Sequence, residues 1–175
     1  MKKITLIFIF IYSSFVFSEV EFIIAKGNTS AIPIAILPFT NNDQSTNLAA
    51  VISDDLNLSG QFSTLEKEQL IENPKFANQV NYGTWKMLKA DYLTIGEVRA
   101  SGPGRYEIDV KLFSVVDQNQ VLALTLPVLA GDFRSGAHYI ADKIYEKITG
   151  FKGIFSPKIA YVIATRISEG IEYQL

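Results

Sequence analysis

The stretch from Gly136 to Val162, GAHYIADKIYEKITGFKGIFSPKIAYV, constrains the fold more than any other. Ala137, Ile140, Ala141, Ile144 and Ile148 recur at helical spacing and make one apolar stripe, while His138, Asp142, Lys143, Glu146 and Lys147 fall largely on other faces. Such a helix must lay one side on a sheet. Asp132 stands where an N-cap is expected and Gly150 where a left-handed C-terminal residue is expected, so both ends carry stop signals. A short basic loop and an apolar strand-like run, KIAYV, complete the unit.

Other segments add strands and a second helix. Ile32 to Phe39, IPIAILPF, is nearly all apolar and predicts a strand covered on both faces, with Pro33 and Pro38 confined to its ends. After the polar loop Asn41 to Thr46, in which Ser45 or Thr46 can cap, the stripe Leu48, Val51, Ile52 and Leu56 predicts a helix that Gly60 stops. Its other side, with Asn47, Asp54 and Asn57, should be solvated. Residues 62–83 read as irregular with short helical pieces, and Thr84 to Lys89 as a brief helix turning Trp85 and Leu88 inward. Three strands follow: Tyr92 to Arg99, Tyr106 to Val116 beyond the turn SGPG, and Val121 to Val128. In the second, Tyr106, Ile108, Val110 and Leu112 alternate with Glu107, Asp109 and Lys111, the mark of a sheet wet on one side. The expectation is an α/β (α+β) fold: a single domain with a mixed β-sheet and helices packed on one face.

Composition sets the limits. With 48% hydrophobic and 19% charged residues, 175 residues suffice for one ordinary core. The absence of cysteine excludes disulfides, thiolate metal sites and a cysteine nucleophile. Residues 1–18 read as a signal peptide: Lys2 and Lys3 form the basic n-region, Ile4 to Tyr12 the apolar h-region, and Ser18 the small residue before cleavage. Without Lys2 and Lys3 the chain holds 14 basic and 18 acidic residues, a net charge of −4, which argues against nucleic acid as a partner.

Chemistry is sparse. His138 is the only histidine, so a histidine pair for a metal is impossible, and Ser135, His138 and Asp142 lack a nucleophile elbow and an oxyanion hole. His138 reads as structural. Asp54 and Asp55 diverge by about 100° around a helix axis, the wrong geometry for sharing a proton, and read as solvated charges. SGPGR at Ser101 to Arg105 lies between two strands with no helix N-terminus to aim at a phosphate, so it reads as a hairpin. Trp85, Tyr92 and Tyr106 fit a core better than a base-stacking platform. No catalytic, metal or cofactor residue is expected, and none of these segments implies a cofactor.

The order of residues carries more. AH-x-IAD-x-IYEK-I-TG with KG-x-F and IAYV resembles the end of the N-terminal domain of the TolB family, periplasmic proteins of the Tol-Pal envelope system. PIAILPF at Pro33 to Phe39, VISDDLNLSGQF at Val51 to Phe62, WKMLKADYLTIGEV at Trp85 to Val98 and YEIDVKLFSVVD at Tyr106 to Asp117 resemble successive landmarks of the same domain, in the same order. The resemblance implies an α/β domain over 31–156, ahead of a six-bladed β-propeller. It also implies that the arm 19–30, in particular Glu19, Val20, Glu21, Phe22, Ile23, Ile24, Ala25 and Lys26, engages TolA, an inner-membrane protein that spans the periplasm. Glu19 and Val20 match the family's usual mature start, and Phe22, Ala25 and Lys26 depart from it. An extended arm can add as a strand to a partner's sheet; without a partner it is a frayed terminus.

Propeller blades repeat at roughly 40 residues, and no such repeat begins before Leu175, so residues 157–175 read as orphan first strands of a missing propeller. The resemblance places the contact with the lipoprotein Pal in that propeller, and Pal binding is not expected of this chain. The expected protein is a non-enzymatic periplasmic component, docking TolA in the system that maintains the outer envelope and its constriction at division. It would be a cut fragment, a truncated gene product or a stand-alone adaptor. The alternative is a secreted or periplasmic enzyme, or ligand-binding domain, on an α/β scaffold.

Overall fold

The computed structural model describes residues 31–41, 46–156, 163–167 and 170–174, and for the last two stretches the backbone only. The expected signal peptide and arm, residues 1–30, and the run Lys158 to Val162 lie outside the described residues. Within them, β1 (Ile32–Ile36), β2 (Phe62–Thr64), β3 (Tyr92–Gly102), β4 (Arg105–Ser114) and β5 (Asn119–Leu129) form one open mixed sheet in the order β2-β1-β3-β4-β5. Three α-helices accompany it: α1 (Leu48–Leu58), α2 (Tyr82–Met87) and α3 (Phe133–Thr149). A separate antiparallel hairpin pairs β6 (Ile163–Ile167) with β7 (Gly170–Gln174).

The apolar run of β1 ends where its burial requires. Ile34 and Ile36 belong to the core beneath α1 and α3, whereas Ala35 and Leu37 belong to the opposite one. Both faces are covered, as a continuous apolar strand demands. Parallel neighbours β2 and β3 flank it, with Ile34 opposite Thr64 and Tyr92. Pro38 has no N–H to give, and the pairing with β3 resumes beyond it, where the Thr40 N–H donates to the Gly96 carbonyl. The ring of Phe39 lies so close to Gly96 that a Cβ there would stand 2.2 Å from Cε1. Only glycine permits that approach.

The two long helices share one face of the sheet. The stripe of α3 is buried at Ala137, Ile140, Ala141 and Ile144 and packs with Leu48, Ile52 and Leu56 of α1 over Val98, Ile108, Val110 and Leu112. Gly150 adopts φ 77°, the left-handed conformation that ends the helix, and its N–H donates to the Glu146 carbonyl. At the other end Asp132 occupies the cap position, but its side chain makes no capping bond. The capping expectation for α1 is corrected by one residue or two: Asn47, rather than Ser45 or Thr46, accepts from the Ala50 N–H at 3.2 Å.

The opposite face receives the short α2 and the irregular segment before it. Trp85, fully buried, packs there against Leu93, Phe113 and Val115, with Leu70, Val80 and Leu88 around it. Within the stretch expected to be irregular, the turns Lys67–Gln69 and Ala77–Gln79 are short 3-10 helices. The strand β2 is an addition to the sequence-based expectation. Three residues carry too little periodicity to mark a strand, and a parallel edge is paired from a distance in sequence. The turn SGPG joins β3 to β4 as an antiparallel hairpin.

Candidate partner-binding site

The expected TolA-binding residues, Glu19 to Lys26, lie outside the described residues, so the molecule defines their point of attachment only. That point is the start of β1, an interior strand, where the Ile32 N–H donates to the Gln61 carbonyl at 2.8 Å and the Pro33 carbonyl accepts from Asp91 at 2.9 Å. From there on the chain is held on both sides and both faces.

The residues weighed for chemistry are taken by structural duties. His138 Nδ1 lies 2.6 Å from Asp55 Oδ2, bridging α3 and α1, with both side chains largely buried. Asp142 turns elsewhere: Oδ1 accepts from the Phe155 N–H at 2.7 Å and Oδ2 from the Ser156 hydroxyl at 2.5 Å. The Ser135, His138, Asp142 set therefore does not assemble. Asp55 corrects the reading of both α1 aspartates as solvated: Asp54 is exposed, whereas Asp55 is buried and paired. The signal was present, since Asp55 follows Leu48 by seven residues and Ile52 by three, positions on the buried stripe itself.

A surface cleft of about 690 Å³ runs between the end of β5 and the first turns of α3, bordered by Arg105, Tyr106, Leu126, Val128, Gly136 and Tyr139. Its walls are mostly apolar, and the small Gly136 lets α3 approach the Val128 and Leu126 side chains. On the sheet's other face a charged lattice stands in solvent: Arg99 pairs with Asp109 at 2.5 Å and Glu107 at 3.3 Å, and the Thr125 hydroxyl donates to Asp109 at 2.6 Å. Tyr92, at the start of β3, has its phenol pushed up by burial, then by the carboxylates of Asp117 and Asp91. Among the described residues no group of three or more His, Cys, Asp or Glu side chains stands close enough to hold a metal ion.

A family model described as the TolB amino-terminal domain matches residues 20–121. The chain belongs to the TolB amino-terminal domain family. Relatives named Tol-Pal system protein TolB include those of Xylella fastidiosa, 40% identical over 156 residues, and Xanthomonas oryzae pv. oryzae, 38% identical over the same length. Each alignment covers 87% of this chain and 36% of the relative, so the chain spans about a third of the curated relatives' length. The crystal structure of TolB from Acinetobacter baumannii superposes with a TM-score of 0.65 at 30% identity, covering 83% of this chain and 35% of that one. The family resemblance and the single-domain α/β fold with a mixed sheet expected from the sequence hold, the two long helices sharing one face and the short α2 lying on the other.

Proposed function

We propose that this chain is a periplasmic, non-enzymatic component of the Tol-Pal system that docks TolA through the arm Glu19 to Lys26. The observation that carries this reading is the 40% identity over 156 residues to a TolB named as a Tol-Pal system protein. The basic and apolar N-terminal residues, read as a leader cleaved after Ser18, supply the route to the periplasm. The architecture suits an arm that binds without supporting the core: Ile32, where the sheet begins, is already anchored to Gln61, and among the described residues the buried clusters are filled by side chains of the sheet and its helices. The pairing of His138 with Asp55 favours a scaffolding role for the one histidine. Contact with Pal belongs, by resemblance, to a propeller, and is not proposed for these residues.

Titration calorimetry of the chain against the C-terminal domain of TolA tests the docking. Deletion of Glu19 to Thr29 should abolish the heat of binding and leave the thermal melt unchanged. Binding that survives the deletion refutes the assignment, and a lost melt shows that the arm is a structural strand. Mass spectrometry of the exported protein should give a chain starting at Glu19; a start inside Ile23 to Gly27 would remove the proposed contact.

A further inference from the structure

The two edges of the sheet are treated differently. At β2, three residues long, the outward amide of Thr64 is already occupied, donating to Asn57 Oδ1 at 3.0 Å, while Asn57 Nδ2 donates to the Thr64 hydroxyl at 2.7 Å. At the far side β5 runs for eleven residues and pairs only with β4 among the described residues. None of residues 118–131 is charged. Edge strands are ordinarily blunted by charges, proline, bulges, brevity or a cover, because their free N–H and C=O groups template further pairing; β5 carries no charge, and its one outward proline, Pro127, and the register shift opposite Leu112 and Phe113 leave Ala123 to Thr125 open.

The register says which groups are free. The Ala130 N–H donates to the Gly104 carbonyl, and Arg105 lies opposite Leu129 and Tyr106 opposite Val128. In an antiparallel ladder the hydrogen-bonded pairs alternate, so Leu124, Leu126 and Val128 point their backbone groups at β4, and Ala123, Thr125, Pro127 and Leu129 point theirs outward. Pro127, with no N–H, thus costs β4 nothing, and a strand added on the outer side forgoes one hydrogen bond at this residue. A strand added here must pair its outward residues with these. In a second copy of β5 that rule matches odd with odd and even with even.

We propose that β5 is a homodimerisation edge, pairing antiparallel with β5 of a second copy about a two-fold axis at Thr125. Ala123 then faces Pro127 of the partner, and Leu124 and Leu122 of the partner fall beside Leu126 and Val128, extending the apolar wall of the cleft that Tyr139 closes. A second copy fits better than a charged strand, because an uncharged edge is complementary to itself and no like charges meet across the axis. The two-fold contact uses the β5 edge of both copies and Asn57 occupies the outward amide of Thr64, so the five-stranded sheet does not continue past two copies.

Sedimentation equilibrium of the exported full-length chain should show a concentration-dependent monomer–dimer equilibrium. Thr125→Lys sets two ammonium groups against each other at the axis, and Ala123→Glu charges the edge beside it; each should weaken the dimer by at least about tenfold with the melt unchanged. The chain has no cysteine, so Thr125→Cys supplies a single thiol, about 4.5–5.5 Å Cβ to Cβ from its copy, a separation wide for a disulfide but spanned by a short bismaleimide, which should cross-link it while exposed Arg134→Cys is not cross-linked. The cysteine pair reads the contact even where a charged variant fails to fold. A monomer up to about 1 mM, a dimer indifferent to both charges, or no cross-link at Thr125 overturns the proposal. So do Ala123, Thr125 and Leu129 amides that exchange slowly in the monomer, which would mean that another segment of the same chain already holds the edge.

Discussion

At the scale of single residues the described interior leaves two of its polar groups unsatisfied. The Thr94 hydroxyl and the Trp85 indole N–H are buried without a hydrogen-bond partner. A buried, unsatisfied polar group costs about 1–3 kcal/mol, and Thr94, fully buried in the middle of the sheet, can be relieved without changing shape. Thr94→Val should therefore raise stability by about 1 kcal/mol in urea titration. The opposite is expected between the helices, where Asp55 and His138 satisfy each other at 2.6 Å. Asp55→Ala or His138→Ala should cost about 1–3 kcal/mol, and the double variant less than the two singles together, a coupling that a double-mutant cycle reads as about 1–2 kcal/mol. Additive costs would mean that the pair is a coincidence of packing.

At the scale of elements, what could be read from the sequence followed the strength of the periodic signal. The long stripe of α3, the two-faced run of β1 and the alternation of β4 appear where the pattern puts them, since each buries its apolar residues by a rule of spacing. What stayed hidden depends on partners distant in sequence. The three residues of β2 are a strand only because Ile32 to Ile34 lie beside them, and the stripe that marks Asp55 for burial does not name its partner, His138, 83 residues away. The open and blocked edges are of the same kind, invisible until the strand order is known. The expected partner-binding arm was legible only through resemblance, because Glu19 to Lys26 carry no chemistry of their own beyond weak alternation. The blocking device has a direct test: Asn57→Ala removes both of its bonds to Thr64, and should cost about 1 kcal/mol while the Thr64 amide exchanges faster. Unchanged exchange at Thr64 would show that α1 shields this edge by bulk alone.

At the scale of the whole molecule, Ser156 is the last residue, among those whose side chains are described, that takes hold of the sheet domain. Tyr145 of α3 packs edge-on against Phe155, their rings 5.6 Å apart, and tilts against Phe62 at 5.9 Å, tying the end of the helix to β2 and to the exit segment. The hairpin β6–β7 pairs within itself as a separate two-stranded sheet. Truncation after Ser156 should shift the melting temperature by no more than about 2 °C, whereas truncation after Gly150, which strips Phe155 and the bonds to Asp142, should lower it by several times that. A large loss from the longer truncation would mean that residues 157–175 belong to the same cooperative unit. Asp142 has one more consequence. With one carboxylate oxygen on a backbone N–H and the other on a hydroxyl two and three residues beyond Gly153, whose own Cα sits too close to Asp142 to admit a Cβ, it works as a pivot pin set into the flank of α3. A pin so near the exit governs heading more than strength. Phe155 and Ser156 therefore leave the domain on a bearing that the flank of the helix sets.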